Sequence, residues 1–193
     1  MKRNSVLIAL ACAAALAGAG LAAQDRALVF SLYGGGADHL ADLRDSPPVW
    51  FMPGYNAGAS VGLQINRYFA VHGDFTFTRN PTRGFSSFAG ADVNRFFYGA
   101  LAEGRYPLSI GLAPFAFGGV GGVSVDQLGL DQFKPFTRPA LMYGGGLLYA
   151  IPRSRVEAFG EVKGLTYRWN TAGFRRTMVD VTYAVGASYR WPF

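Results

Sequence analysis

The chain ends in a stretch, residues 179–193, in which apolar and polar side chains alternate. Counted back from the end, every second residue is apolar or aromatic: Phe193, Trp191, Tyr189, Ala187, Val185, Tyr183, Val181 and Val179. The residues between them, from Asp180 to Arg190, are small or polar. Because successive side chains of a β-strand point to opposite faces, this strand has one apolar face along its whole length. Strands of soluble β-sandwiches also alternate, but they seldom end a protein with aromatic residues at three alternate positions.

The aromatic residues at the end of this strand suit the interfacial aromatic girdle of a membrane barrel. Tyr189, Trp191 and Phe193 occupy alternate positions and the last is the C-terminal residue. The stretch resembles the C-terminal signal of Gram-negative outer-membrane proteins. This resemblance implies that Tyr189, Trp191 and Phe193 are an assembly signal recognised by the barrel-assembly machinery.

The N-terminus predicts export independently. Basic Lys2 and Arg3 precede an apolar and alanine-rich run that ends near Ala23, and polar residues follow from Gln24. A basic start, an apolar centre and small residues before a polar break are typical of a secretory signal peptide. We expect residues 1–23 to be a cleaved signal peptide, with cleavage after Ala22 or Ala23, and residues 24–193 to form the mature domain.

Cysteine content and charge exclude several classes of function. Cys12 is the only cysteine and lies in the predicted signal peptide, so the mature chain has no disulfide, thiol nucleophile or cysteine metal ligand. Loss of Lys2 and Arg3 lowers the formal net charge from +6 to +4, because no acidic residue precedes Asp25. The basic residues are scattered along the chain, which argues against nucleic acid as a partner.

Composition favours a β-barrel over a bundle of membrane helices. The chain has 26 Gly, 16 Phe and 10 Tyr, and its mean hydropathy is only +0.16. After the leader, no run approaches the roughly 20 apolar residues that a spanning helix needs. Segments of about ten alternating residues are typical of a transmembrane β-barrel.

Eight such segments can be read along the chain, at about 27–35, 55–65, 68–78, 92–106, 110–125, 140–151, 155–167 and 179–193. The fifth is irregular, and we expect Phe115, Phe117, Val123 and Val125 to face outward. The seventh changes phase near Gly164, which predicts a β-bulge. Short links alternate with long ones, as expected when tight periplasmic turns alternate with longer outer loops.

The whole pattern resembles the small OmpA/OmpX-like outer-membrane barrels. We therefore predict an all-β fold, an eight-stranded antiparallel transmembrane β-barrel, in the outer membrane of a Gram-negative bacterium. Both termini would be periplasmic, the barrel monomeric, and its surroundings outer-membrane lipids and lipopolysaccharide.

The predicted inward faces carry charges of both signs. An eight-stranded barrel leaves an interior that side chains fill, and buried charges persist when they are paired. We expect a salt-bridged lumen, with an ion path as the alternative. The predicted network comprises Asp74, Arg95, Glu103, Arg105, Glu157, Glu161, Lys163, Asp180 and Arg190.

The sequence offers little for catalysis. His72 and Asp74 share one face, and Ser60 and Ser188 are the inward serines, but one sequence cannot supply the geometry of a catalytic triad. The triple glycines at 34–36 and 144–146 lack the following helix of a phosphate-binding loop. We predict no enzymatic activity, no cofactor and no metal ion.

The outer loops are the remaining functional surface. The first combines charged residues with Trp50 and Phe51, which could belong either to the outer aromatic girdle or to a contact patch. The second, residues 79–83, is basic and could lie against lipopolysaccharide phosphates. The contact candidates are His39, Arg44, Trp50, Arg79 and Arg83.

These patterns predict a structural or surface-interacting barrel that acts through its outer loops by adhesion or ligand contact. A narrow passive-diffusion or small-ligand-binding barrel is the alternative, and a lipid-modifying outer-membrane enzyme is a third possibility.

Overall fold

The computed structural model describes residues 26–40, 44–45, 48–84, 92–128, 135–171 and 174–193. The predicted signal peptide therefore lies outside the described residues. The strands are β1 Ala27–His39, β2 Arg44–Asp45, β3 Pro48–Phe51, β4 Gly54–Asn66, β5 Phe69–Gly84, β6 Asp92–Arg105, β7 Leu112–Leu128, β8 Phe136–Ala150, β9 Val156–Thr171 and β10 Phe174–Pro192. In this part of the chain, no helix has the length and apolar character needed to cross a membrane.

Eight of these strands form a closed antiparallel barrel, as predicted. Each pairs with its neighbours in the order β1, β4, β5, β6, β7, β8, β9, β10, and β10 pairs with β1 to close the ring. The register of closure aligns Ala27 with Pro192 and His39 with Asp180. Since every strand alternates its side chains, this register fixes which residues face the lumen.

The two ends of the barrel differ. Tight turns and the described chain termini lie at one end, which we call the turn end; the opposite end, where the longer links lie, we call the loop end. At the loop end the strands run further than the sequence predicted: β5 ends at Gly84 and β10 begins at Phe174. Two short strands, β2 and β3, extend the sheet there, because β3 pairs with β5. The first long link is therefore partly ordered sheet.

The outward face is apolar over most of its height. Aromatic residues ring it near the turn end (Tyr68, Tyr106, Tyr149, Tyr189, Trp191 and Phe193) and again towards the loop end (Tyr55, Tyr98, Tyr143 and Tyr183), and all are exposed. Further towards the loop end, outward positions of seven of the eight barrel strands carry polar residues: Asp38, Arg79, Asn94, Ser124, Thr137, Thr166 and Thr177. An apolar band bounded by two aromatic girdles is the surface of a transmembrane barrel.

The prediction that Phe115, Phe117, Val123 and Val125 face outward is wrong, since all four are buried inside the barrel. The outward row of β7 is instead made of small residues, Ala116, Gly118, Val120 and Gly122 among them. Phe117 occupies space opposite Gly144 of β8, where an added Cβ would lie 2.7 Å from its ring. Large side chains on one strand are thus accommodated by glycine on the next.

The predicted phase change at Gly164 is also wrong. The pairing of β9 with β8 and β10 is continuous through Gly164, without a bulge. The residues that suggested a slip, Leu165, Tyr167 and Trp169, are buried in the lumen, while Thr166 lies on the outer side. Beyond the apolar band the outside of the strand faces water and its inside is a hydrophobic core, so the polarity reverses without a change of register.

Candidate functional site

The lumen has two walls of different chemistry. The lumenal faces of β1, β4 and β5 carry Ser31, Tyr33, Ser60, His72, Asp74 and Thr76, and β9 and β10 add further charged residues. The opposite wall, on β7 and β8, carries Phe115, Phe117 and Leu148. We call these the polar wall and the apolar wall. Between the two walls, β6 contributes Leu101 and the charged Glu103 and Arg105.

The centre of the polar wall is a buried hydrogen-bonded cluster around Lys163. Its Nζ lies 3.0 Å from Asp74 Oδ1, 3.0 Å from the Tyr33 hydroxyl and 3.1 Å from Thr76 Oγ1. Tyr33 in turn donates to Asp74 Oδ2 at 2.8 Å, and Glu161 Oε1 lies 3.4 Å from Lys163 Nζ. This central cluster joins β1, β5 and β9 across the interior. Charge-assisted bonds of this kind are the strong ones in a protein interior.

A second cluster lies nearer the turn end. Arg105 donates from Nε to Glu103 Oε1 at 2.7 Å, and its Nη1 lies 3.7 Å from Glu157 Oε2. Arg190, one-third exposed, donates to Glu157 Oε1 at 3.3 Å, and His72 Nε2 lies 3.3 Å from Glu103 Oε2. Carboxylate and guanidinium groups alternate from Glu103 on β6 to Arg190 on β10, so these four charges neutralise one another.

A third cluster closes the lumen at the loop end. Arg95 Nε lies 3.6 Å from Asp180 Oδ2, and its Nη1 donates to Asn80 Oδ1 at 3.0 Å. Phe51, on β3, covers this pair: its ring centroid lies 4.5 Å from the Arg95 guanidinium carbon and 4.1 Å from the His39 ring centroid. Asn80 fixes the cover by donating to the backbone carbonyls of Met52 and Ala37 at 3.0 Å each.

A hydrophobic core built from β6, β8, β9 and β10 lies at the level of the loop-end cluster, where Asp180 pairs in register with Leu165. It includes Phe97, Met142, Leu165, Tyr167, Trp169 and Met178, all at most 2% exposed. Among the described residues, the lumenal cavity between the central and turn-end clusters measures about 40 Å³. A cavity of that size is too small to form a continuous passage between the described side chains of the lumen.

The serines and the histidine considered for catalysis line this same small cavity. Ser60, Ser188, His72 and Asp74 all border it. Ser188 is hydrogen-bonded to Ser31 at 2.9 Å, and the carboxylate beside His72 is Glu103 rather than Asp74. The described contacts therefore do not assemble a serine–histidine–carboxylate relay.

Comparisons with solved structures show which proteins share this fold. No protein-family model and no curated protein sequence matches the chain. Among solved structures, Neisserial surface protein A is similar, with a TM-score of 0.56 and 17% identity over 87% of this chain and 96% of that one. The outer membrane protein OprG from Pseudomonas aeruginosa gives a TM-score of 0.57 and 16% identity over 89% of this chain and 99% of that one. AlkL, solved in DMPC lipid bilayers, gives 0.50 and 17% over 88% and 92%.

The chain has the fold of the small OmpA/OmpX-like outer-membrane barrels. In barrels of this fold, an apolar band of this kind is the surface that faces lipid.

This barrel places all nine predicted network residues inside its lumen. They fall into the three clusters above: Lys163, Asp74 and Glu161; Arg105, Glu103, Glu157 and Arg190; and Arg95 with Asp180. The predicted assembly residues Tyr189, Trp191 and Phe193 lie on the lipid side at the turn end. Sequence reasoning missed Tyr33, Thr76 and Asn80, which are uncharged and gain their importance only from contacts with Lys163 of β9 and Arg95 of β6 across the lumen.

The structure places the loop-contact candidates in different surroundings. The assignment of His39 to an outer loop is wrong: it lies in β1, pairs with Asp180, and its side chain is 2% exposed. Phe51 is neither a girdle residue nor an exposed patch, since it is 7% exposed and covers the lumen. Trp50 is half-buried and pairs in register with exposed Arg83. Arg79 is ion-paired with Asp92 on the outer face, and Arg44 lies in β2.

Proposed function

We propose that this outer-membrane barrel is a structural and surface-interacting protein that carries a contact surface at its loop end and conducts poorly. The observation that supports this proposal is the closed lumen: three charge clusters and a hydrophobic core leave a cavity of about 40 Å³. Eight strands leave no spare radius. Because the filled interior gives solutes no route through the barrel, we propose that the protein acts through its outer surfaces.

We further propose that the loop end is extracellular and that both termini are periplasmic in a monomeric barrel. The signal-like leader, the tight links at the turn end and the longer links at the loop end support this orientation. Cysteine scanning tests it: in cells producing the variants, Arg83→Cys should react with a membrane-impermeant maleimide and Arg67→Cys, in a tight turn, should not. The reverse labelling would contradict the orientation.

The proposed contact surface lies where β3 joins β5, and it includes Trp50, Arg79 and Arg83. Arg79 lies on the outer face just beyond the aromatic pair of Tyr55 and Phe77, whose ring centroids are 6.1 Å apart. In the proposed orientation this level is that of the lipid head groups. Guanidinium groups bind phosphate by paired hydrogen bonds, so we propose the phosphates of lipopolysaccharide as a partner of this surface.

Tryptophan fluorescence tests this partner. Purified lipopolysaccharide added to the barrel in detergent micelles should change the emission of Trp50 saturably. The double variant Arg79→Gln with Arg83→Gln should lose the response, whereas Arg155→Gln, in a turn at the other end, should keep it. An unchanged response in the double variant would place the contact elsewhere.

Assembly is the role proposed for the terminal aromatics. Deletion of Phe193 should lower the amount of barrel inserted in the outer membrane, while refolding in micelles survives, because a recognition signal acts during insertion. Normal insertion of the deletion in cells would show that the residue belongs only to the girdle.

The two other candidate functions make different demands on the interior. A passive-diffusion or ligand-binding barrel needs open lumenal space, and the space between the clusters is small. A lipid-modifying enzyme needs a nucleophile that reaches lipid, yet Ser60 and Ser188 face inward. Both remain weaker proposals than the structural one.

A further inference from the structure

The rim of the turn end is basic. It carries four exposed arginines, none of which forms an ion pair with a described side chain: Arg26, Arg67, Arg153 and Arg155. The described acidic side chains lie in the lumen or at the loop end, so the C-terminal carboxylate of Phe193 is the one negative group that this part of the chain places on the rim. The loop end, by contrast, carries Asp38 and Asp92 beside its arginines. The turn end therefore favours an anionic partner.

Two arginines at this rim bring like charges together on neighbouring strands. Tyr189 pairs with Val156. The next residues, Arg190 and Arg155, lie opposite each other, because the N–H of Arg190 donates to the carbonyl of Arg155 at 2.9 Å. Like charges at opposite positions of an antiparallel pair are destabilising. An anion that contacts both guanidinium groups would relieve this repulsion.

The carboxylates nearby are already engaged by other groups. Glu157 lies between two guanidinium groups, 3.3 Å from Arg190 Nη1 and 3.7 Å from Arg105 Nη1. Glu103 is ion-paired with Arg105 and also has His72 beside it. No described carboxylate is therefore left to pair with Arg155. Arg190 also has capacity to spare, since its Nε is buried and donates no hydrogen bond.

A pocket of about 240 Å³, which we call the basic pocket, opens beside this arginine pair and is lined by Ser154, Arg155 and Arg190 among others. Since a water molecule takes about 30 Å³ of liquid volume, the pocket has room for a phosphate group and the atoms attached to it. Ser154 Oγ accepts a hydrogen bond from the N–H of Val156 at 3.0 Å, which leaves its hydroxyl proton free to bind an anion.

The basic pocket adjoins an apolar groove on the lipid side of the barrel. Val156 borders both, and the outer lining of the groove includes Phe30, Leu32, Ala187 and Tyr189. Tyr189 belongs to the aromatic girdle of the turn end, and such girdles mark the level at which lipid head groups begin. A place for an anion beside a place for an apolar chain matches the two parts of a phospholipid.

We propose that the basic pocket binds the phosphate of an anionic phospholipid, such as phosphatidylglycerol, whose acyl chain lies in the adjoining groove. Arg155 and Arg190 bind the phosphate oxygens, and Ser154 donates a further hydrogen bond. Basic residues at a membrane surface attract anionic lipids. The site lies at the opposite end of the barrel from the proposed lipopolysaccharide contact, so either proposal can fail without the other.

Quenching of Trp191 fluorescence tests the site. The chain has three tryptophans. Trp169 is 2% exposed inside the barrel and Trp50 lies at the loop end, whereas Trp191 is 58% exposed on the lipid side of the turn end. The barrel is reconstituted in phosphatidylcholine bilayers with a rising fraction of either brominated phosphatidylglycerol or brominated phosphatidylcholine, because bromine quenches tryptophan emission. We expect stronger quenching by the anionic lipid at equal fraction, and a smaller difference at high salt.

Matched variants locate the effect. Arg155→Gln stays polar but loses its charge, so the preference for phosphatidylglycerol over phosphatidylcholine should fall about fivefold, the contribution expected of one arginine near an anionic lipid surface. Ser154→Ala should lower the preference by less. Arg168→Gln, which removes an exposed arginine at the loop end, should keep the full preference. Trp191→Phe should lose most of the quenching by either lipid.

Three results would overturn the proposal. The first is equal quenching of the unmodified protein by the two brominated lipids. The second is a preference that survives Arg155→Gln, or that falls as much in Arg168→Gln, since the net charge of the barrel would then explain it. The third is loss of the preference when inorganic phosphate is added at constant ionic strength, because the pocket would then hold a free anion in place of a lipid.

Discussion

The polar and apolar walls of the lumen differ in which face of the strand carries the large hydrophobic side chains. On β1, β4 and β5 the lipid side is apolar and the lumenal side carries the hydroxyls and charges, as in Ser60 and Asp74. On β7 the lumenal side carries Phe115 and Phe117, and the lipid side is built from small residues such as Gly118. The pleat imposes alternation on both walls, but it does not decide which face is the hydrophobic one.

The difference shows that the lumen is stabilised in two ways. The polar wall depends on satisfied charges, where each group needs its partner. The apolar wall depends on complementary volume, where β8 glycines make room for β7 phenylalanines. Substitutions that remove a charge should therefore destabilise the barrel when they are made on the polar wall. Substitutions that add volume should destabilise it when they are made on the apolar wall.

The largest effect is expected from the polar wall. Lys163→Ala leaves Asp74 buried without its cation, and breaking a buried ion pair in this way costs about 3–5 kcal/mol. Urea unfolding in micelles, followed by the gel shift between folded and unfolded barrel, measures the change. The double variant Lys163→Met with Asp74→Leu should recover part of the loss. A cost for Lys163→Ala no greater than that for an exposed charge would contradict the role given to the central cluster.

A smaller effect is expected from the apolar wall. A side chain at Gly144 would place its Cβ 2.2 Å from the Val162 carbonyl oxygen and 2.7 Å from the Phe117 ring. Gly144→Val should lower the free energy of unfolding by about 1–3 kcal/mol, the usual cost of overpacking. Gly118→Val is the matched control, because a Cβ there meets no atom within 4 Å and faces lipid. Equal tolerance of both variants would mean that the apolar wall is loosely packed.

The smallest effect is expected outside both walls. Arg79 and Asp92 form an ion pair on the outer surface, where water and salt screen the attraction. Arg79→Ala should leave the urea midpoint of the barrel in micelles nearly unchanged. A loss comparable with that of Lys163→Ala would show that the loop-end surface contributes to the fold as much as the lumen does.

The sequence was sufficient for the architecture and for the polar wall. Alternation in β4, β5 and β10 is regular, so the inward position of residues such as Asp74 could be predicted. The apolar wall could not, because Phe115 and Phe117 on one face and small residues on the other fit either orientation by hydropathy. The burial of both rings, with Phe117 packed against Gly144, shows that they point inward.

The loop end was predicted less well, for a related reason. The outward face beyond the aromatic ring is in water, so Thr166 lies outside and Tyr167 and Trp169 lie inside. If apolar residues are always assigned to the lipid side, this exchange of polar and apolar faces is mistaken for a β-bulge. His39 and Phe51 were missed likewise, because their burial depends on Arg95, Asn80 and Asp180 from three other strands.

Conductance in planar bilayers tests the closed lumen most directly. The unmodified barrel should show little stable conductance, because the three clusters and the hydrophobic core leave no water column. Glu161→Ala should destabilise the fold more than it opens a channel, since the neighbouring side chains remain in place. Large, steady, ion-selective channels in the unmodified protein would contradict the closed lumen and favour the passive-diffusion function instead.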